Sequence, residues 1–263
     1  NRVTMGVQTL DEATRAALGR SSPAPDAEML EEFRSIGSIT HGVDIIAGVP
    51  SRMTRSFLHE LEKLTRLRFE HISAYLLAVD QETPLFGRME QDERFEEAQI
   101  SDYRAMVDVL KHEGYEHYEV SNFALKGFRS RHNMKYWSFE PYVGYGARAH
   151  SFYSGRRWFN RQTVQEYLQS DRPVLTEDVR SRGGEIAEFV LTGLRLTEGI
   201  SMKRYREVFS RGMPDDLVQS LHSLEKRSLA RIIADGGDTR FALTVDGMLI
   251  MDVLLAELPL PPA

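Results

Sequence analysis

The chain has 263 residues, 41% of them hydrophobic, a formal net charge of −6 and no cysteine. That length suits one large domain or a domain with a small appendage, and the apolar content is ample for a core. A pI near 5.8 speaks against a general nucleic-acid coat, and the missing cysteines exclude disulfides, thiolate zinc sites and thiolate-held clusters within these residues.

In chain order, 2–9 (RVTMGVQT) reads as a strand and 10–18 (LDEATRAAL) as a short amphipathic helix, with another helix over 28–37. The run 43–49 (VDIIAGV), closed by Pro50, has the continuous apolar character of a parallel strand covered on both faces. Helical spacing of Phe57, Leu58, Leu61 and Leu64 predicts a helix over 55–67, followed by a buried strand over 71–79 (HISAYLLAV). Strands separated by helices imply βα units with right-handed crossovers, and ligands gather at the C-terminal ends of such strands. A long helix over 100–113 stops at Gly114, and 115–124 reads as one further strand. Beyond residue 181, helices over 185–196, 201–209 and 215–228 precede short strands at 230–234 and 240–243, then a last helix over 247–257. Three helices and a β-hairpin make a winged-helix-like module, with linkers expected at 171–173 and 180–184. No run approaches the ~18 apolar residues of a membrane span. The start NRVTMGVQ has neither a signal-peptide core nor an initiator Met. A cytoplasmic protein, and a piece of a longer chain, is the expectation.

The most concentrated chemistry lies between Lys126 and Arg161, where eight Lys/Arg face one acid, Glu140, and ten aromatics include both tryptophans. The two histidines there are His132 and His150. Cations among flat aromatic faces suit a planar ligand with anionic edges, such as a porphyrin with propionates or a nucleotide. A rim of loops whose aromatics finish a core has the same composition. Among the strands, Asp44 sits inside an apolar run, where a charge is costly unless paired or used. Gln8 at a strand end and Arg20 in the following loop pose the same question: each is a ligand contact or a solvent-facing residue.

Taken together and in order, GVQT…LGR, VDIIAGVP, HISAYLL…TPL, YEVSNFA, RHNMKYW, GYGARAHS and RRWFN resemble one family. It is the oxygen-independent coproporphyrinogen III oxidase-like radical SAM proteins, most closely their haem-chaperone branch, HemW. The likeness extends through GLRLTEGI and FALTVDGMLIMD near the C-terminus. It implies an α/β fold in which 1–125 is the C-terminal part of a partial (βα)6 barrel. Residues 126–180 would be an aromatic and basic porphyrin-site segment packing on the barrel, and 181–263 a winged-helix-like α+β domain. The family's CxxxCxxC motif for a 4Fe–4S cluster, its GGTP segment and a Glu on the next strand have no counterpart here. The resemblance therefore implies a chain that starts at about the fourth barrel strand, with the cluster confined to the full-length parent. Such a segment is expected to be inactive alone, and whether the chain is an enzyme stays open.

Carried across residue by residue, the resemblance implies that Gln8, Arg20, Asp44 and the backbone at Ala74 contact S-adenosylmethionine. A guanidinium suits the carboxylate of that ligand, and Gln8 and Asp44 suit its hydroxyls or amino group. The HNxxYW pattern in RHNMKYW implies a haem site of His132, Asn133, Tyr136 and Trp137, with His132 the candidate ligand to haem iron. His150 is a weaker candidate. A structural role, with His132 donating to a backbone carbonyl, is the competing reading. Two departures stand out: Ser21–Ser22 follow LGR where the family carries a His, and Arg148 replaces a small residue.

Three functions follow. The first is a haem chaperone that binds haem or a porphyrin and passes it to a haem-accepting protein, any membrane association coming through that recipient. The alternative is coproporphyrinogen III oxidase chemistry. The third is a nucleic-acid-binding winged helix, which ten basic against twelve acidic residues over 181–263 oppose, so no DNA or RNA partner is expected.

Overall fold

A computed structural model describes residues 1–50, 54–87, 92–171, 174–178 and 182–260. The chain divides into two compact units, Asn1–Arg129 and Ser130–Ala263.

The first unit runs β1 (Arg2–Gln8), α1 (Glu12–Ala17), α2 (Ala27–Ser35), β2 (Thr40–Ala47), α3 (Thr54–Arg66), β3 (His71–Leu76), α4 (Glu93–His112), β4 (Glu116–Glu119) and β5 (Asn122–Ala124). Its five strands form one sheet in the order β1-β2-β3-β5-β4. The first three pair in parallel, as their helical crossovers require. Asp11, Asp26 and Asp92 each accept a backbone N–H in the first turn of α1, α2 and α4, which fixes where these helices begin. On β2 the side chains of Val43, Ile45 and Ala47 are buried, whereas the intervening Asp44 and Ile46 are only half-buried. The buried face continues through Ile72, Ala74 and Phe123, and α3 and α4 bring Phe57, Leu61, Leu64, Met106 and Leu110 to the core. Gly48 turns after β2 at a φ of 72°, and a Cβ there would meet Gln99 of α4 at 3.0 Å.

Two expectations change here. The helix predicted over 100–113 begins seven residues earlier, because Asp92 caps it and the charged stretch ERFEEAQ hides the apolar spacing. The single strand predicted over 115–124 is two antiparallel strands, β4 and β5. The alternation of apolar residues runs straight through the turn at Val120–Ser121, where the Ser121 amide donates to Glu119 Oε1 at 3.3 Å.

The second unit runs α5 (Arg131–Trp137), β6 (His150–Tyr153), β7 (Arg156–Asn160), α6 (Val164–Gln169), β8 (Val174–Asp178), α7 (Arg182–Gly193), β9 (Ile200–Ser201), α8 (Met202–Phe209), α9 (Asp215–Lys226), β10 (Ala230–Asp235), β11 (Asp238–Leu243), α10 (Val245–Leu249) and α11 (Met251–Glu257). Helices α7, α8 and α9 followed by the β10–β11 hairpin, with β9 as a third strand beside β11, give the winged-helix-like arrangement. The aromatic and basic stretch is only partly loop: it carries the helix α5 and the hairpin β6–β7, to which β8 adds, on either side of the irregular segment 138–149. The helix predicted over 247–257 is two helices meeting at Ile250. Of the predicted linkers, 172–173 and 180–181 lie outside the described residues, and Arg182 to Gly184 form the first turn of α7.

One polar contact staples this unit internally. Arg157 on β7, 8% exposed, forms an ion pair with Glu188 on α7 and places its guanidinium 3.9 Å from the Phe152 ring centroid. Part of the basic excess in the sequence is thus core structure.

Candidate functional site

In the first unit Gln8 ends β1, Asp44 and Ala74 lie within the parallel strands β2 and β3, and Arg20 follows α1. Gln8 is the last residue of β1 and adopts a left-handed φ of 66°. Arg20 Nη2 donates to Gln8 Oε1 at 3.4 Å, so the two residues singled out separately in the sequence meet in space. Gly6 leaves room for this: a Cβ on it would lie 2.9 Å from Gln8 Nε2.

The strand register sets Gly6 beside Asp44, Asp44 beside Ser73, Ser73 beside Asn122 and Asn122 beside Glu119. Partners in register share a face. A polar row, Asp44, Ser73, Asn122 and Glu119, therefore crosses β2, β3, β5 and β4 on the face opposite the apolar core, with Gly6 of β1 at its end. Burial pushes the Asp44 carboxyl above its usual range, and a hydrogen bond with Ser73 only partly opposes that. Burial likewise raises the half-exposed Tyr75 phenol, Ser73 lowering it and the charges of Asp44 and Glu119 adding to the rise. Glu119 is 1% exposed and accepts from Asn122 Nδ2, while Asn122 Oδ1 is buried with no hydrogen-bond partner. Ala74 is buried on the opposite face, and its amide donates to Ser121 O at 2.8 Å, so a ligand contact there is confined to backbone. Sequence reasoning passed over Ser73, Asn122 and Glu119. Their spacing carries no period-2 signal, because they come from three strands.

Arg20 and Gln8 offer a guanidinium and an amide side by side, and Asp44 offers a carboxylate on the neighbouring strand, groups that suit a zwitterionic ligand with hydroxyls. Among the described residues no group of three or more His, Cys, Asp or Glu is placed to hold a metal ion. A thiolate-held iron–sulfur cluster does not fit this chain, since it has no cysteine.

In the second unit, α5 carries the RHNMKYW motif. Ser130 Oγ caps it by accepting from the Asn133 amide at 3.3 Å, and the seven-residue helix has no buried residue. His132 is exposed; its Nε2 lies 2.9 Å from the Tyr136 hydroxyl, one helical turn on. Tyr136 packs edge-on against Tyr142, with ring centroids 4.5 Å apart. The Tyr142 backbone is tied to Phe152 by bonds of 2.6 and 2.8 Å.

Trp137 sits elsewhere on the helix. With Met134 it lines a cleft of about 740 Å³ whose walls include Phe189, Leu196 and Lys203 but neither His132 nor Tyr136. Its indole Nε1 is buried with no hydrogen-bond partner, and the Arg195 guanidinium lies 5.2 Å from its ring. The motif is thereby divided: His132 and Tyr136 meet on one flank of α5, and Trp137 lines the cleft on another. Asn133 is half-buried and engages the cap through its backbone. His150 is exposed on β6, its ring 5.4 Å from Phe159. Arg148 adopts a left-handed φ of 62° and donates to Gln162 Oε1 at 3.1 Å. The RRWFN and GYGARAHS motifs form one structure, since buried Asn160 donates to Gly144 O at 3.3 Å and to Gly146 O at 2.9 Å.

No protein-family model matches the chain. It is 30% identical over 245 residues to the heme chaperone HemW of Bacillus subtilis (strain 168), covering 87% of this chain and 62% of that protein. It is also 30% identical over 215 residues to the heme chaperone HemW of Lactococcus lactis subsp. lactis, covering 80% of this chain and 57% of that one. Among solved structures, coproporphyrinogen III oxidase (HemN) from Escherichia coli, a radical SAM enzyme, superposes with a TM-score of 0.74 at 16% identity. That match covers 97% of this chain and 63% of the HemN chain. The chain thus spans about three-fifths of the length of the relatives it matches. The chain therefore shares the fold of HemN, with no closed barrel among its described residues, and is similar in sequence over most of its length to the heme chaperones HemW.

Proposed function

We propose that this chain is the haem-handling part of a haem chaperone, binding haem at α5 and passing it to a haem-accepting protein in the cytoplasm. The observation that carries the proposal is the presentation of RHNMKYW on a capped, surface helix with the His132 imidazole exposed, in a chain similar to proteins named heme chaperones. His132 is the iron ligand in this reading, its ring held edge-on by Tyr136 at a centroid distance of 5.0 Å, with Asn133 and Tyr136 beside it and Trp137 on the separate flank that lines the cleft. Gln8, Arg20, Asp44 and the backbone at Ala74 hold S-adenosylmethionine, while the cluster belongs to the rest of the parent protein, which alone supplies thiolates. Among the described residues no helix is long and apolar enough to cross a membrane.

A spectral titration of haem into the chain, wild type against His132→Ala, tests the proposal. A saturable Soret shift, weakened about tenfold or more by the substitution, is expected, the loss typical of a group that sets metal affinity. Unchanged affinity and spectrum in the variant would remove His132 from the site. Specific binding by neither protein would favour the second reading, oxidative decarboxylation of coproporphyrinogen, which rests on the fold shared with HemN.

A further inference from the structure

The end of β1 is strained where nothing in its own sequence demands it. The Thr9 amide donates back to Val7 O at 2.8 Å, closing a three-residue turn with Gln8 at its centre at a φ of 66°. For an L-residue with a side chain this conformation brings Cβ against the following carbonyl, and a γ-turn of positive φ is the rarer, more strained kind. The same turn breaks the register, so that Gly6 pairs with Asp44 but Gln8 pairs with Ile45. A plain continuation of β1 would place Gln8 one register position further along β2.

Two buried charged side chains enforce the turn, and no role described above uses either. Glu60 on α3, 5% exposed, accepts from Thr9 Oγ1 at 2.9 and 3.1 Å and from the Leu10 amide at 2.8 Å. Arg15 on α1, 6% exposed, donates to Val7 O at 2.9 Å and anchors on Ser22 through bonds of 2.6 and 2.7 Å. One charge grips the residue before Gln8 and the other the two residues after it. Relaxing Gln8 to an extended conformation would drag Thr9 and Leu10 off Glu60 and leave a buried carboxylate without those bonds, an outcome more costly than the strain. Strain of this sort persists only where its surroundings over-determine it, and it concentrates at ligand sites.

We propose that Glu60 and Arg15 are positioning residues that hold Gln8 in its strained turn, aiming its amide at the carboxylate- and amine-bearing ligand shared with Arg20. The inference rests on the strand-end ligand reading of the proposed function. The test is calorimetric titration of S-adenosylhomocysteine into the chain, with thermal unfolding followed in parallel, for Gln8→Gly, Glu60→Gln and the double variant. Glycine accepts a positive φ without strain, so Gln8→Gly is expected to raise Tm while weakening the probe about fivefold. Glu60→Gln is expected to weaken it by a similar factor, and the double variant no further than Gln8→Gly alone, because residues acting through one group are not additive. Losses that multiply, or a Glu60→Gln protein with unchanged affinity, would overturn the inference while leaving the ligand site standing. A wild-type chain that binds no probe overturns both. Should Glu60→Gln fail to fold, Thr9→Val, which deletes only the hydroxyl donor, is expected to show the same non-additive pattern at about twofold.

Discussion

The two candidate sites are built in opposite ways. In the first unit the residues at the strand ends are set by groups beneath them: buried Glu60 and Arg15 bracket Gln8, and buried Asp102 accepts the Gly48 amide at 2.8 Å just after β2. Gln99 donates to Leu77 O at 2.6 Å just after β3, so a polar side chain pins the loop behind each parallel strand. In the second unit His132 stands exposed on a short surface helix with no fully buried residue, held by a cap and by an edge-on ring. Rigidity enforced from the core suits a ligand that must sit in one orientation. An exposed side chain with little behind it suits a cargo that is taken up and given away, as the proposed function requires. The same contrast divides the basic stretch between Lys126 and Arg161, where Arg157 is a buried structural cation and Arg131 and Lys135 are exposed on α5.

The comparison can be broken by perturbing the units separately, because both tryptophans, Trp137 and Trp158, lie in the second unit and their fluorescence reports it alone. The largest effect is expected in the first unit on acidification. Burial, helped by the Arg2 charge, pushes His71 from its ordinary 6.5 down to about 3. The unfolded chain then binds a proton that the folded chain refuses. Stability is full above pH 6.5 and is lost progressively as pH falls toward 3, by up to ~5 kcal/mol. Urea unfolding followed by circular dichroism at pH 7 and pH 4 measures the loss, and His71→Gln is expected to flatten it. An equal loss in the variant would assign acid sensitivity to other groups.

Next in size is Glu188→Ala, which strands the buried Arg157 guanidinium and is expected to destabilise the second unit by about 3 kcal/mol. The tryptophan-detected transition should move while the remaining dichroism change stays in place. A single transition that moves as a whole would show the units to be thermodynamically one.

The smallest effect has the opposite sign. Because the folded-state carboxyl of Asp44 is raised, its ionised form costs stability at neutral pH. Asp44→Asn is expected to raise Tm by about 2 °C, the scale of ~1 kcal/mol or less in a chain of this length. The gain should fade as pH falls through the raised value and vanish below the ordinary 3.8. No gain at pH 7 would mean that Asp44 is already compensated by the fold and is not held in readiness for a ligand.

By itself the sequence determined the alternation of strands and helices in the first unit, the three helices and hairpin near the C-terminus, and a family likeness carried by seven short motifs in register. These are local signals: apolar periodicity, caps and motif strings are written in neighbouring residues, and α3 with Phe57, Leu61 and Leu64 buried on one stripe shows how directly they translate. Gln8, Arg20 and Asp44 were visible as misplaced polar residues, but their meeting was not. Tertiary structure alone decided that Arg20 reaches Gln8, that Asp44, Ser73, Asn122 and Glu119 line one row, and that 115–124 folds back on itself. It also decided that Trp137 lines a cleft apart from His132, and that Glu60 and Arg15 hold a strained turn from α3 and α1. Strand register, side-chain burial and the strain one element imposes on another depend on residues tens of positions apart, and no local pattern encodes them.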